Sequence, residues 1–177
     1  QAPLWYFGVI GAQALTRTFP FSQAMSVTRR DFFVGTLLTA VLTAGLLSVV
    51  FVVGGLLEQA TDGYGMNGWF FSIPWVWEAG PVAAGVAYFA LAMFAFVVGF
   101  WAATIFKRFG GLTTAATLVG VGLVLVAAVW LVTATRSWAV VGDAVVTLGA
   151  FGLAVCGILI TLALAASSFT TLRRAIP

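Results

Sequence analysis

The stretch Phe32 to Leu57, FFVGTLLTAVLTAGLLSVVFVVGGLL, runs for 26 residues without a charge. A helix needs roughly 20 apolar residues to cross about 30 Å of hydrocarbon, so this run has spanning length. Three further runs share that property: Val82 to Phe106, Leu112 to Thr133 and Ala144 to Phe169. Across the 177 residues, 62% are hydrophobic and 7% are charged. A soluble domain carries about 25% charged residues because its surface must be wetted, so this chain cannot hide its apolar surface in water. A closed barrel, the other way to satisfy the backbone in lipid, requires alternating segments of about ten residues. The runs are continuous and long, which selects helices, and the β-propensity of their Val, Ile and Phe is overridden because the backbone has no water to bond.

Working outward from these runs, Trp5 to Leu15 is apolar but too short to span alone, and the chain opens on Gln1. It reads as the cytoplasmic half of a helix that begins upstream. The expected architecture is therefore a single all-α polytopic membrane domain over residues 1–177, with four complete spans plus a partial N-terminal span.

The charges lie between the runs, and their signs separate. Arg17, Arg29, Arg30, Lys107, Arg108, Arg173 and Arg174 fall on one side with Asp31. Glu58, Asp62, Glu78 and Asp143 fall on the other with Arg136. The positive-inside rule makes the first side cytoplasmic, so the C-terminus faces the cytoplasm in the cell membrane. The net charge of +3 has the same origin and is not read as nucleic-acid binding.

Several chemistries are unsupported. The sequence has no histidine and one cysteine, which removes bis-histidine haem, cysteine zinc sites and internal disulfides from consideration. Cys156, in an apolar run, reads as a small buried hydrophobe. No Asp, Glu, His or Lys sits within the runs to relay protons at membrane depth, and no phosphate-cradling loop is present. The chain is not expected to be an enzyme or to hold a cofactor, and any uphill movement would draw its energy from a partner.

The loop of residues 17–31 carries the most information. Pro20 is expected to stop the preceding helix, because it lacks an amide hydrogen and biases Phe19 away from helical geometry. Ser22 would then cap a short helix through about Val27. Thr28-Arg29-Arg30-Asp31 fits a capping box, with the Thr28 hydroxyl on the Asp31 amide, starting the first long span. The short helix would lie along the interface, with Phe19, Phe21 and Met25 beside Arg29 and Arg30.

The run Phe19-Pro20-Phe21-Ser22, followed by Ser26-Val27-Thr28-Arg29-Arg30-Asp31-Phe32-Phe33-Val34-Gly35-Thr36, resembles the cytoplasmic loop of small ATP-binding-cassette export permeases of actinobacterial type. The likeness continues through Glu58, Thr61-Asp62-Gly63-Tyr64-Gly65, Phe70-Phe71, Pro74 and Arg108-Phe109-Gly110-Gly111. The resemblance implies a six-span permease that pairs with a second permease subunit and rests a coupling helix on a separate ATPase subunit, which binds ATP and Mg. In that reading Phe19, Pro20, Phe21, Ser22, Met25 and Thr28 form the coupling element. Phe19, Phe21 and Met25 enter the ATPase groove, and Arg29 with Arg30 clamps it. The competing reading is a structural accessory subunit of a larger membrane complex.

On the outer side, residues 62–80 are too polar and too broken by Gly and Pro to span, yet hold Trp69, Phe70, Phe71, Trp75 and Trp77. They are expected to form an aromatic belt lying in the interface. Thr36, Thr39 and Thr43 share one helix face. Their hydroxyls either bond preceding carbonyls or line a nearly uncharged path suited to a hydrophobic or amphiphilic cargo. Ala95, Gly99 and Ala103, like Ala116 and Gly120, form ridges suited to close helix packing.

Overall fold

The computed structural model describes residues 2–173, and every regular element among them is helical. Gln1 and Arg174, on which the reading of the chain start and part of the basic C-terminus rests, lie outside the described residues. The elements are α1 (Ala2–Gln13), a π-helical turn (Ala14–Thr18), α2 (Phe19–Ala24), α3 (Arg29–Ala60), a second, kinked π-type turn (Gly63–Asn67), α4 (Pro74–Trp77), α5 (Pro81–Ala134) and α6 (Trp138–Arg173). Three of them, α3, α5 and α6, are long and apolar enough to cross a membrane.

Helix α5 has 54 residues. At 1.5 Å per residue it would extend about 80 Å if straight, far beyond the hydrocarbon thickness. It breaks at Gly110 (φ 82°, ψ 176°), a conformation that an L side chain rarely adopts. The break falls between Arg108 and Gly111, where the sequence places a basic loop. Helix α6 is likewise broken, at Gly149 (φ 61°, ψ −179°), and it begins at Trp138, so Asp143 lies in a helix. The link from α5 to α6 is a three-residue turn in which Arg136 takes a positive φ of 52°.

Three directions of packing build the core. Helix α1 runs parallel to the first half of α5: Gly8 lies against Ala95 and Gly99, and Gly11 against Phe96 and Phe100. The approach is very close, since a Cβ built at Gly99 would sit 1.9 Å from the Gly8 carbonyl oxygen. The Ala95, Gly99 and Ala103 ridge thus does what its residue sizes suggest, letting two backbones meet. Helix α3 runs antiparallel to α5, with Phe33 on Phe100, Phe51 on Tyr88, and the Ser48 hydroxyl donating to the Gly85 carbonyl at 2.6 Å. The far end of α6 returns to the same end, where Phe169 meets Phe33. The loop of residues 17–31, the Lys107–Arg108 pair and the end of α6 are thereby gathered at one end of the bundle. Substituting Gly99 by leucine is expected to push α1 off α5 and cost about 1–3 kcal/mol or more by overpacking, read as a lowered unfolding midpoint in micelles.

The hairpin of residues 111–148 makes little use of its apolar surface within the chain. Leu112, Val124, Trp130 and Val146 are all more than half exposed. The Ala116 and Gly120 ridge, expected to pack, meets nothing here: a Cβ added at Gly120 has no neighbour within 4 Å. Monomeric soluble proteins rarely expose contiguous apolar patches larger than a few hundred Å², so this surface belongs in lipid or against another chain.

Candidate functional site

The groove between α1 and α3 is where the structure gathers the residues singled out in the sequence. It encloses about 620 Å³ and is lined along α3 by Asp31, Thr36, Thr39, Thr43 and Val50, and along α1 by Phe7 and Ile10. From Asp31 to Val50 is nineteen residues, about 28 Å of helix, close to one hydrocarbon thickness. The three threonines therefore line one groove. Two of their hydroxyls are engaged: Thr39 donates to the Gly35 carbonyl (2.9 Å), and Thr43 to those of Thr39 (2.8 Å) and Ala40 (3.1 Å). Bonding of a threonine hydroxyl to the preceding turn leaves the methyl group facing outward, so the wall is less polar than its composition. The two readings of these residues are compatible.

At the basic end of this groove the chain departs from expectation. Pro20 does not stop the helix. Phe19 keeps right-handed helical angles (φ −60°, ψ −47°), and its amide donates to the Ala14 carbonyl across the π-helical turn. The ring of a proline inside a helix clashes with the carbonyl four residues earlier. The extra residue in the wide turn accommodates Pro20 in the first turn of α2. Ser22 is consequently not an N-cap. It is buried, and its hydroxyl donates back to the Phe19 carbonyl at 2.8 Å.

Helix α2 ends at Ala24, short of Val27. The amide of Val27 donates to the Ser22 carbonyl and that of Ser26 to the Gln23 carbonyl, a Schellman closure. Ser26 occupies the left-handed position (φ 59°) usually taken by glycine. The N-cap half of the expected capping box is present at the start of α3, and the Asp31 carboxylate reaches back to the Thr28 hydroxyl. Thr28 is extended, its hydroxyl oxygen accepts from the Asp31 amide (3.1 Å), and its hydroxyl donates to the Asp31 carboxylate (2.6 Å).

Of the expected apolar trio, Phe21 and Met25 are exposed, at 68% and 65%. Phe19 is turned inward, its ring 5.1 Å from that of Phe32 in an edge contact. Pro20, Thr28 and Arg30 are exposed and Arg29 is half-buried. The loop thus offers Phe21 and Met25 with Arg30 at its surface, while Phe19 holds it to the bundle through Phe32.

The other end of the bundle contains a constellation that the sequence reading missed. Glu58, in the last turn of α3, is fully buried. Its carboxylate accepts from the amides of Phe70 (2.8 Å), Phe71 (2.9 and 3.0 Å) and Ser72 (2.7 Å). Beside it the Gln59 amide donates to the Ser72 hydroxyl at 2.9 Å. The Phe71 carbonyl accepts from the Tyr88 hydroxyl and, at 3.2 Å, from the Trp77 indole. One signal was available: a carboxylate at a helix C-terminus faces the negative end of the helix dipole and needs donors from elsewhere.

These bonds alter the reading of the aromatic belt. Trp69 and Phe70 are about half exposed, but Trp77 is buried, and the Phe71 ring packs 5.1 Å from Phe51. Gly54 and Gly55 leave room for the Phe71 and Trp77 rings on the surface of α3. The outer segment is a folded cap, anchored inward by part of its aromatic set. The groove ends at Val50, next to Phe51, whose ring belongs to this capped cluster.

The arrangement defines a helical bundle with a membrane-compatible exterior, a long side groove that reaches its basic end, and a clasped cap at the opposite end. No family model, curated protein or solved structure matches the chain.

Proposed function

We propose that the chain is the membrane-spanning permease subunit of an ATP-driven exporter for a hydrophobic or amphiphilic substrate. In this reading the four apolar runs are complete spans, with α5 contributing two through its break at Gly110. The basic end faces the cytoplasm, and a partner ATPase subunit and a second permease subunit complete the assembly.

One observation carries the reading: the loop of residues 19–28 joins the two helices that form the walls of the groove. A pull on α2 changes the separation of α1 and α3. Thr18 and Asp31, on either side of that loop, both line the groove. ATP binding to the partner would draw its two subunits together and move α2 with them. The wide π-helical turn is a local weak point at which α1 can bend. Since the groove is lined mainly by hydrocarbon, with the Thr39 and Thr43 hydroxyls already bonded, an apolar or amphiphilic cargo suits it better than an ion.

The test is purification of the chain from its native membranes with identification of its stoichiometric partner. An ATPase supports the proposal; a stoichiometric partner without ATPase activity supports an accessory subunit instead. In the reconstituted complex, replacing Arg29 and Arg30 together by alanine is expected to abolish substrate-stimulated ATP hydrolysis. Full stimulation and full ATPase binding by that variant would remove the coupling role of the loop.

A further inference from the structure

The bonds that fasten the cap to the end of α3 converge on one ionisable group. Every donor to the buried Glu58 carboxylate is a main-chain amide, of Phe70, Phe71 or Ser72. Among the described residues no cation pairs with it. An ionised carboxylate offers acceptor sites on both oxygens, whereas a neutral carboxyl carries a hydrogen on one of them. Here that hydrogen would face groups that can only donate. The site is built for one charge state.

The other ionisable groups nearby do not share this role. Helix α5 brings Tyr88, whose hydroxyl donates to the Phe71 carbonyl. The cap brings Asp62, Tyr64 and Glu78, and the turn into α6 brings Arg136 and Asp143, all of them exposed.

What the carboxylate restrains is strained. Asp62, Tyr64 and Asn67 take φ values of 48°, 60° and 52°, and Gly63 and Gly65 are left-handed as well. Non-glycine residues persist in that region only where the surrounding structure holds them. The Gly68 amide donates to the Gly63 carbonyl, which ties this left-handed run to the stretch that enters the clasp at Phe70. The clasp also reaches the groove. The Phe71 ring stands edge-on to Phe51 at 5.1 Å, and Val50, the residue before Phe51, ends the groove lining.

We propose that Glu58 is a proton-operated catch: ionised, it holds residues 70–72 against α3, and protonated, it releases them together with the left-handed run. The hold exists while the carboxylate is charged and is withdrawn when a proton binds, so the cap loosens as the pH falls and fastens again as it rises. Release moves Phe71 away from Phe51 at the end of the groove. Any role of that movement in passage of cargo rests on the transport reading; the catch itself does not.

Hydrogen–deuterium exchange of the whole chain in micelles tests it, read as protection relative to an unstructured peptide at the same pH. The comparison runs from about pH 7 to about pH 3, across the ordinary glutamate value of about 4.3. Protection of the Phe70, Phe71 and Ser72 amides is expected to fall at least tenfold, while the α5 amides of Phe96 and Phe100 stay protected. Glu58→Gln, a fixed mimic of the neutral carboxyl, is expected to show the low protection at both pH values. Asp62→Asn with Glu78→Gln removes the two exposed carboxylates of the cap and leaves the fall in place. Constant protection in the parent chain, a fall that persists in Glu58→Gln, or a fall that vanishes with Asp62 and Glu78 overturns the proposal. So does loss of protection at Phe96 and Phe100 in step with residues 70–72, because the cap then does not open separately. Exchange is read without cargo or ATPase, so failure of the transport reading leaves this outcome untouched.

Discussion

Replacing Glu58 by alanine is expected to cost the folded chain on the order of 3–5 kcal/mol. The carboxylate satisfies three consecutive amides, of Phe70, Phe71 and Ser72. An unsatisfied buried donor costs about 1–3 kcal/mol, and bonds to a charged acceptor stand at the upper end of the hydrogen-bond range. Glu58→Gln keeps one oxygen acceptor but turns an NH₂ toward the remaining amides, so its loss is expected to be about half as large. The unfolding midpoint in micelles, followed by tryptophan fluorescence, gives the ranking. Protease susceptibility within residues 61–80 should rise in the same order, because the released segment is the one the carboxylate holds. Unchanged midpoint and proteolysis in the alanine variant would mean that the cap is held by its aromatic contacts alone.

The readable parts of this molecule are those whose cause is local or compositional. Uninterrupted apolar runs become helices because the backbone must bond itself. Thr28 and Asp31 stand three residues apart and form the capping interaction that spacing predicts. Lys107 to Gly111 interrupts two apolar runs, and the chain breaks at its Gly110. Pro20 shows where a local rule fails. Its effect on helix geometry is real, but the π-helical turn absorbs it while Gly8 and Gly11 keep α1 seated on α5. Glu58 was opaque for a different reason. Its partners are twelve to fourteen residues away and are backbone amides, which leave no mark in side-chain chemistry. The same distance effect divides the aromatic residues. Nothing in the composition of residues 62–80 distinguishes Trp77, buried by Gly55, from the half-exposed Trp69. Thr36, Thr39 and Thr43 could be placed on one face from their period, but whether that face meets lipid or a groove depended on where α1 lay.

The exposed pair formed by Phe21 of α2 and Met25 at its C-cap gives the proposed coupling its sharpest expectation. Phe21 and Met25 are four residues apart, so they stand on one face of a single turn, both largely exposed. Buried anchors of this kind carry most of the binding energy at an interface, each worth about 2–4 kcal/mol on truncation when it is a hot spot. Replacing both by aspartate adds the desolvation of two carboxylates to the lost apolar contact. Affinity for the ATPase subunit is expected to fall at least a hundredfold, about 2.7 kcal/mol. Neither side chain belongs to the buried core, so the unfolding midpoint should stay within about 0.5 kcal/mol of the parent, as for ordinary surface positions. Phe19 provides the contrast. Because its ring packs on Phe32, Phe19→Ala is expected to lower stability by about 2–3 kcal/mol, rather below the range for a fully buried phenylalanine. Loss of ATPase binding without loss of stability in the Phe21 and Met25 variant, set against loss of stability in the Phe19 variant, would separate the docking face of α2 from its anchoring face. Equal ATPase affinity in all three chains would place the energy input elsewhere in the molecule.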